Sequence, residues 1–262
     1  MKHAAAPRSV AELVFIAVTE PDEDIAWEAI TTLHERGTRE VFEAARDLTQ
    51  SKVLKERIVG VDILAQIGVP ERAFPDETFD ILAGMLEAER NAELLGAIGT
   101  AFGHLGDPRA TPLLMRLAGH ASDLVRFGAV MGLLGLREHN DQAVAALIAL
   151  SEDEDAEVRN WATFGLGTQI EADSPAIRAA LLARLEDADE EIRLEALAGL
   201  AARRDARALD ALVEALAGGA IDPALPLHAD LCAALTALKD EWSGDPARLA
   251  AALAACRSDG AE

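Results

Sequence analysis

Val158-Arg159-Asn160-Trp161-Ala162 and Ile192-Arg193-Leu194-Glu195-Ala196 are two copies of one short pattern: an aliphatic residue, a basic one, and a small residue three positions after the basic one. Val125-Arg126-Phe127-Gly128-Ala129 is a third copy, and weaker ones start at Ile25-Ala26, Glu56-Arg57, Leu94-Leu95 and Leu227-His228. The second position of each pair falls at 26, 57, 95, 126, 159, 193 and 228, at spacings of 31 to 38 residues. One helical hairpin fits each interval. The period predicts an all-α, right-handed α-solenoid of about seven hairpins, each burying its apolar face against its neighbours, with a C-terminal capping helix.

Start and stop signals agree on the register. Asp22, Asn91, Ser122, Asp155 and Asp189 stand four residues before the second pattern position, where a side-chain oxygen can accept from the open amides of a first helical turn. Gly37, Gly68 and Gly106 stand eleven residues after it, where a left-handed residue ends a helix. The A helices are expected near 9–19, 38–49, 76–88, 108–118, 141–151, 175–186, 205–217 and 245–257. The B helices, which carry the pattern, are expected near 22–36, 52–67, 91–105, 122–137, 155–170, 189–203 and 224–240. Val69 to Pro75, with two prolines, reads as a long connection, and Gly218-Gly219 with Pro223 and Pro226 as a second irregular stretch. The expectation is a single repeat domain over 9–257 with flexible termini at 1–8 and 258–262. Gly99, Ala129, Ala162 and Ala196 read as points of close approach between hairpins.

Composition limits the partners. With 46 acidic and 24 basic residues the formal charge is −22, which repels nucleic-acid phosphates and anionic lipid headgroups. Cys232 and Cys256 are the only cysteines, too few for a disulfide framework and without zinc spacing, which fits a reducing cytosol. The apolar run from Leu13 to Val18 lacks the flanks and cleavage site of a signal peptide. Phe127 to Leu136, the longest uncharged apolar run, is shorter than the ~20 residues of a membrane span. A soluble cytoplasmic protein of bacterial type is expected.

Ala101-Phe102-Gly103-His104-Leu105-Gly106-Asp107-Pro108-Arg109-Ala110-Thr111-Pro112-Leu113-Leu114 resembles the junction between a B helix and the next A helix in HEAT-like repeats, most closely the subgroup named after phycobilisome lyases. With the Val-Arg-x-x-Ala units the resemblance covers residues 9 to about 257 and is strongest from 92 to 217. Similar repeats serve as protein-binding scaffolds, bilin lyase subunits, metal-dependent hydroxylases and alkylpurine DNA glycosylases, so the fold alone does not select an activity. The resemblance also implies a structural ladder between repeats, pairing Arg126, Arg159 and Arg193 with Asp123, Asp155 and Asp189. Ala26, Leu95 and His228 should interrupt it.

Chemistry of the hydroxylase type calls for several His-Glu pairs around two irons, whereas this chain has one, His34-Glu35. His3, His104, His120, His139 and His228 are not followed by Glu, and no metal or other cofactor is expected. DNA binding of the glycosylase type lacks a basic surface in a chain with four lysines. The acidic turns 152–155 and 186–191 lack the Gly and terminal Glu of calcium loops and read as solvated turns. They also put negative charge along one edge.

On a helical wheel that starts at the Arg position, +3, +7 and +10 face the core and +1, +2, +5 and +9 face away. In repeats of the family that outer side of the B helices lines the concave surface. Phe127, Met131, Trp161 and Phe164 fall there on adjacent helices, with Glu195, Glu28, Glu35, Asp62 and Asp230 around them. They form either an exposed binding patch or a cluster closed over by curvature. The expected function is a non-enzymatic scaffold that binds a protein or peptide in this groove, whose acidic rim favours a basic or amphipathic segment. An enzyme or enzyme subunit of bilin-lyase or hydroxylase type using the same groove is the alternative.

Overall fold

A computed structural model describes residues 8–136, 140–219 and 221–257. The termini expected to be flexible, apart from Arg8, lie outside the described residues, as do His3 and His139. The α-helices are α1 (Val10–Thr19), α2 (Glu23–Arg36), α3 (Arg39–Thr49), α4 (Leu54–Gln66), α5 (Pro75–Ala88), α6 (Ala92–Leu105), α7 (Thr111–Ala118), α8 (Asp123–Leu134), α9 (Asp141–Leu150), α10 (Ala156–Phe164), α11 (Pro175–Arg184), α12 (Glu190–Ala202), α13 (Leu209–Ala217), α14 (Pro226–Leu238) and α15 (Pro246–Ala255). No strand occurs among the described residues. The chain divides into two compact units, residues 1–139 and 140–262. Four hairpins, α1 to α8, make the first. Three hairpins, α9 to α14, make the second, and α15 packs on α13 and α14 as the cap.

The caps explain where the B helices begin. Asp22, Asn91, Asp155 and Asp189 each accept from backbone amides of their own first turn. Ser122 occupies its N-cap position without making that bond, and its amide instead donates to His120 Nδ1. Gly37 and Gly106 end α2 and α6 in the left-handed region, whereas Gly68 (φ 79°) comes one residue after the C-cap of α4. The connection before α5 is packed down. Phe74, itself left-handed at φ 57°, lies 5.0 Å from Phe42 between ring centroids, and the Arg39 guanidinium covers both rings.

Core register follows the wheel at +3 and +7 and loosens at +10. The +3 and +7 residues are buried in all seven repeats, from Ala29 and Leu33 through Ala196 and Leu200 to Leu231 and Leu235. At +10, Ile67, Leu105, Leu136 and Leu238 are buried, but Arg36 and Arg203 are half-buried and Gln169 is exposed. The cause at Gln169 is a π-helical turn, Gly165–Gln169, that follows α10 where one continuous B helix was expected. A π turn holds one extra residue, so the core position passes to Ile170, which is buried.

B helices touch backbone to backbone at glycines. A Cβ on Gly99 of α6 would stand 2.7 Å from the Gly128 carbonyl carbon of α8, and one on Gly199 of α12 would stand 2.5 Å from Gly167 Cα. These residues are small because the helices meet there.

The ladder uses other acids than expected. Arg159 donates from Nε and one terminal nitrogen to Asp187 at 2.9 and 3.1 Å, and from the other to the Asp153 and Glu154 carbonyls. Arg57 pairs with Glu89 at 3.2 Å. Both acids stand two residues before the N-cap of the next B helix and accept from that N-cap's amide. Asp155 and Asp189 are instead turned onto their own helix amides as caps, and Asp123 is the first residue of α8. Arg126 and Arg193 donate to carbonyls of their own A–B turns, at 120 and 121 and at 187 and 188.

Candidate binding groove

Cysteine pairing departs from expectation. Cys232 on α14 and Cys256 after α15 form a disulfide with a Cα–Cα distance of 5.5 Å, because α15 folds back beside α14 and brings the two side chains together. Their spacing of 24 residues carried no sign of it.

The second unit contains a groove of about 720 Å³ walled by α10 with its π turn, α12 and α14. Phe164, Ile170, Leu194 and Leu227 supply the large apolar side chains. Ala198, Ala201, Ala202, Ala233 and Ala234 leave open space that longer side chains would fill. Glu171, Glu195, Asp230, Arg203 and Arg204 are its exposed or half-buried charges. Burial, and then the charge of Glu191, holds the Glu195 carboxyl above its ordinary range. A carboxylate so placed gains from an incoming cation.

Arg203 holds the π turn in place. Its two terminal nitrogens donate to the carbonyls of Leu166, Gly167, Ile170, Ala172 and Gly199 at 2.7–3.0 Å. Four of those carbonyls belong to the irregular end of α10 and its continuation, the Gly199 carbonyl belongs to α12, and one planar fork reaches them all. The arginine thus shapes the groove wall.

Of the residues singled out from sequence, Phe164, Glu195 and Asp230 line this groove. Trp161 is half-buried beside Phe164, edge to face at 5.6 Å, and is not part of the lining. Phe127 and Met131 are half-buried on α8 and belong to the first unit. Leu194 and Leu227 were missed, although Leu194 is at +1, the wheel position that selected Phe127. Ile170 and Arg203 depend on the π turn, which no residue pattern announced.

In the first unit Trp27, also at +1, is 51% exposed and stands edge to face with His34 at 6.4 Å. His34 is buried and donates from Nε2 to the Asp62 carbonyl at 2.9 Å, while Glu35 is exposed. Desolvation lowers the His34 pKa. It pushes the Asp62 carboxyl up to about 6. Among the described residues no three His, Cys, Asp or Glu side chains form a metal-binding cluster, and no helix is long and apolar enough to cross a membrane.

Comparison with known proteins agrees with this architecture. The family model for HEAT repeats matches residues 79–167 and 144–223, more than half of the chain. The chain is similar in structure to E. coli YibA, with 20% identity, a TM-score of 0.67, and coverage of 98% of this chain and 100% of that one. It is also similar to an engineered protein (17% identity, TM-score 0.50, 94% of this chain and 77% of that one). The complex of CpcE and CpcF of phycocyanin lyase from Nostoc sp. PCC7120 matches at 14% identity and a TM-score of 0.49, over 98% of each chain. No curated protein matches the sequence. At these identities the structural likeness is one of fold. The family match is direct: this chain belongs to the HEAT-repeat family.

Proposed function

We propose that the protein is a non-enzymatic interaction scaffold of the cytoplasm, and that the groove of its second unit takes a segment of a partner protein that carries apolar anchors beside basic residues. The observation that supports this most is the groove's composition. Phe164, Leu194 and Leu227 come from three successive B helices, and Glu195 and Asp230 stand among them. Apolar anchors in a desolvated pocket supply most interface free energy, while surrounding charges set partner choice and association rate. A formal charge of −22 favours cationic ligands over nucleic acid. Trp161 supports Phe164 from behind the groove lining, and Phe127, Met131 and Trp27 offer further apolar contacts on the first unit.

A peptide library selected against the full chain, with counter-selection against Phe164→Ser, tests the reading. Enriched peptides should combine large apolar residues with Lys or Arg and bind the wild type at least tenfold more tightly than the variant, on the order of 1.4 kcal/mol. Peptides that bind both proteins equally would place recognition elsewhere.

A further inference from the structure

The C-terminal cap α15 packs chiefly on α13, and its strongest tie to α14 is one covalent bond. Of α15, Ala252 is the buried residue, and the helix is tied to α14 through Cys256 and Cys232. We propose that this disulfide is a thiol–disulfide exchange site, reactive toward small and protein dithiols in the folded state, and that its reduction releases α15 from the groove-bearing helix α14.

Three features around the bond support this. Both cysteines are half-buried rather than enclosed, and they line an open depression of about 550 Å³ that a small dithiol can enter. Lys239 and Arg257 line the same depression, and cations beside sulfur favour the thiolate that must leave when the bond is attacked. The His228 ring, one turn before Cys232, has both nitrogens 3.9 Å from its sulfur.

The exchange balances with a dithiol as reductant. One thiolate of the dithiol attacks Cys256 Sγ, the protein S–S bond breaks, and its electron pair leaves on Cys232, which takes a proton from solvent. The second thiolate of the dithiol then attacks the reagent's own sulfur in the mixed disulfide, expels Cys256 as thiolate, and leaves as an oxidised disulfide. Two electrons have passed to the protein. Disulfides of cytosolic proteins are mostly of this reversible kind.

Release reaches the groove through α14. Ala233, the residue after Cys232, lines both the depression around the bond and the groove, and Leu227, Asp230 and Ala234 of the same helix form one groove wall. This part rests on the groove being the binding surface.

The test uses the full chain without denaturant, titrated with dithiothreitol, with thiols counted by mass shift and amide exchange followed by helix. Two thiols should appear per chain, and exchange in 246–255 should accelerate at least tenfold while α11 is unchanged. A C232S/C256S variant should show the fast exchange at every dithiol concentration. A bond that opens only after denaturation, or α15 protection that survives reduction, would overturn the proposal. The reach to the groove is read separately, as the affinity of a groove-selected peptide for the oxidised and reduced protein. A change of threefold or more is expected, and equal affinities would overturn the coupling. Peptide binding that ignores Phe164→Ser would instead count against the groove, leaving the thiol and exchange results to stand on their own.

Discussion

Arg159 and Asp187, 28 residues apart, form a two-pronged ion pair that joins the B helix of one repeat to the A–B turn of the next. Both side chains are largely buried, at 16% and 6% exposure. Breaking such a pair leaves one charge without its partner, so Asp187→Asn should cost about 2–3 kcal/mol. The hydrogen bonds from Arg159 hold the Asp187 pKa below the ordinary value, so its contribution is present above the unfolded aspartate pKa of about 3.9 and is lost as pH falls through the lower folded value. Urea midpoints of the wild type and Asp187→Asn should converge in acid. A constant difference down to the most acidic pH would contradict the assignment.

Asp62 titrates with the opposite sign. Burial raises its carboxyl to about 6, so the folded state holds a proton that the unfolded state releases near 4. Stability from this group is fully present below that unfolded value and is lost as pH rises through about 6, up to about 3 kcal/mol at neutral pH. Asp62→Asn should therefore raise the melting temperature at pH 7–8, and the gain should disappear below about pH 4. A gain independent of pH would mean that the amide helps for another reason.

Glycine substitutions separate contact from propensity. Gly84 of α5 faces open space, and Gly84→Ala should stabilise by about 1 kcal/mol through helix propensity. Gly99→Ala gains the same propensity but drives its methyl against the α8 backbone, so it should destabilise by about 1–3 kcal/mol. Chemical denaturation of the two variants checks this, and stabilisation by both would show that α6 and α8 can separate at no cost.

Arg203→Lys keeps the charge and removes the planar fork that reaches five carbonyls. The change should cost about 2–3 kcal/mol. Amide exchange should rise in 165–172 before it rises in α11. If exchange across the π turn matches the wild type, the turn is held by packing alone.

The helices and their order were legible because each repeat states its own start, core and stop. Asp155 caps, Ala162 and Leu166 pack, and the next repeat begins on the same terms at Asp189. Phe164, Glu195 and Asp230 were legible as groove residues for the same reason, since the wheel separates faces of a regular helix. That logic failed at Gln169, where the helix changes period, and at the ladder, where the aspartate nearest in pattern was already engaged as a cap.

Local sequence thus determined the hairpins, because caps and helical periodicity act within about ten residues and are satisfied by the segment that carries them. Tertiary structure alone decided the acids that Arg57 and Arg159 meet, the π turn gathered under Arg203, and the joining of Cys232 to Cys256. Each depends on a donor, a carbonyl or a sulfur brought from another helix. Such distances are set by how hairpins stack, and no single repeat contains them.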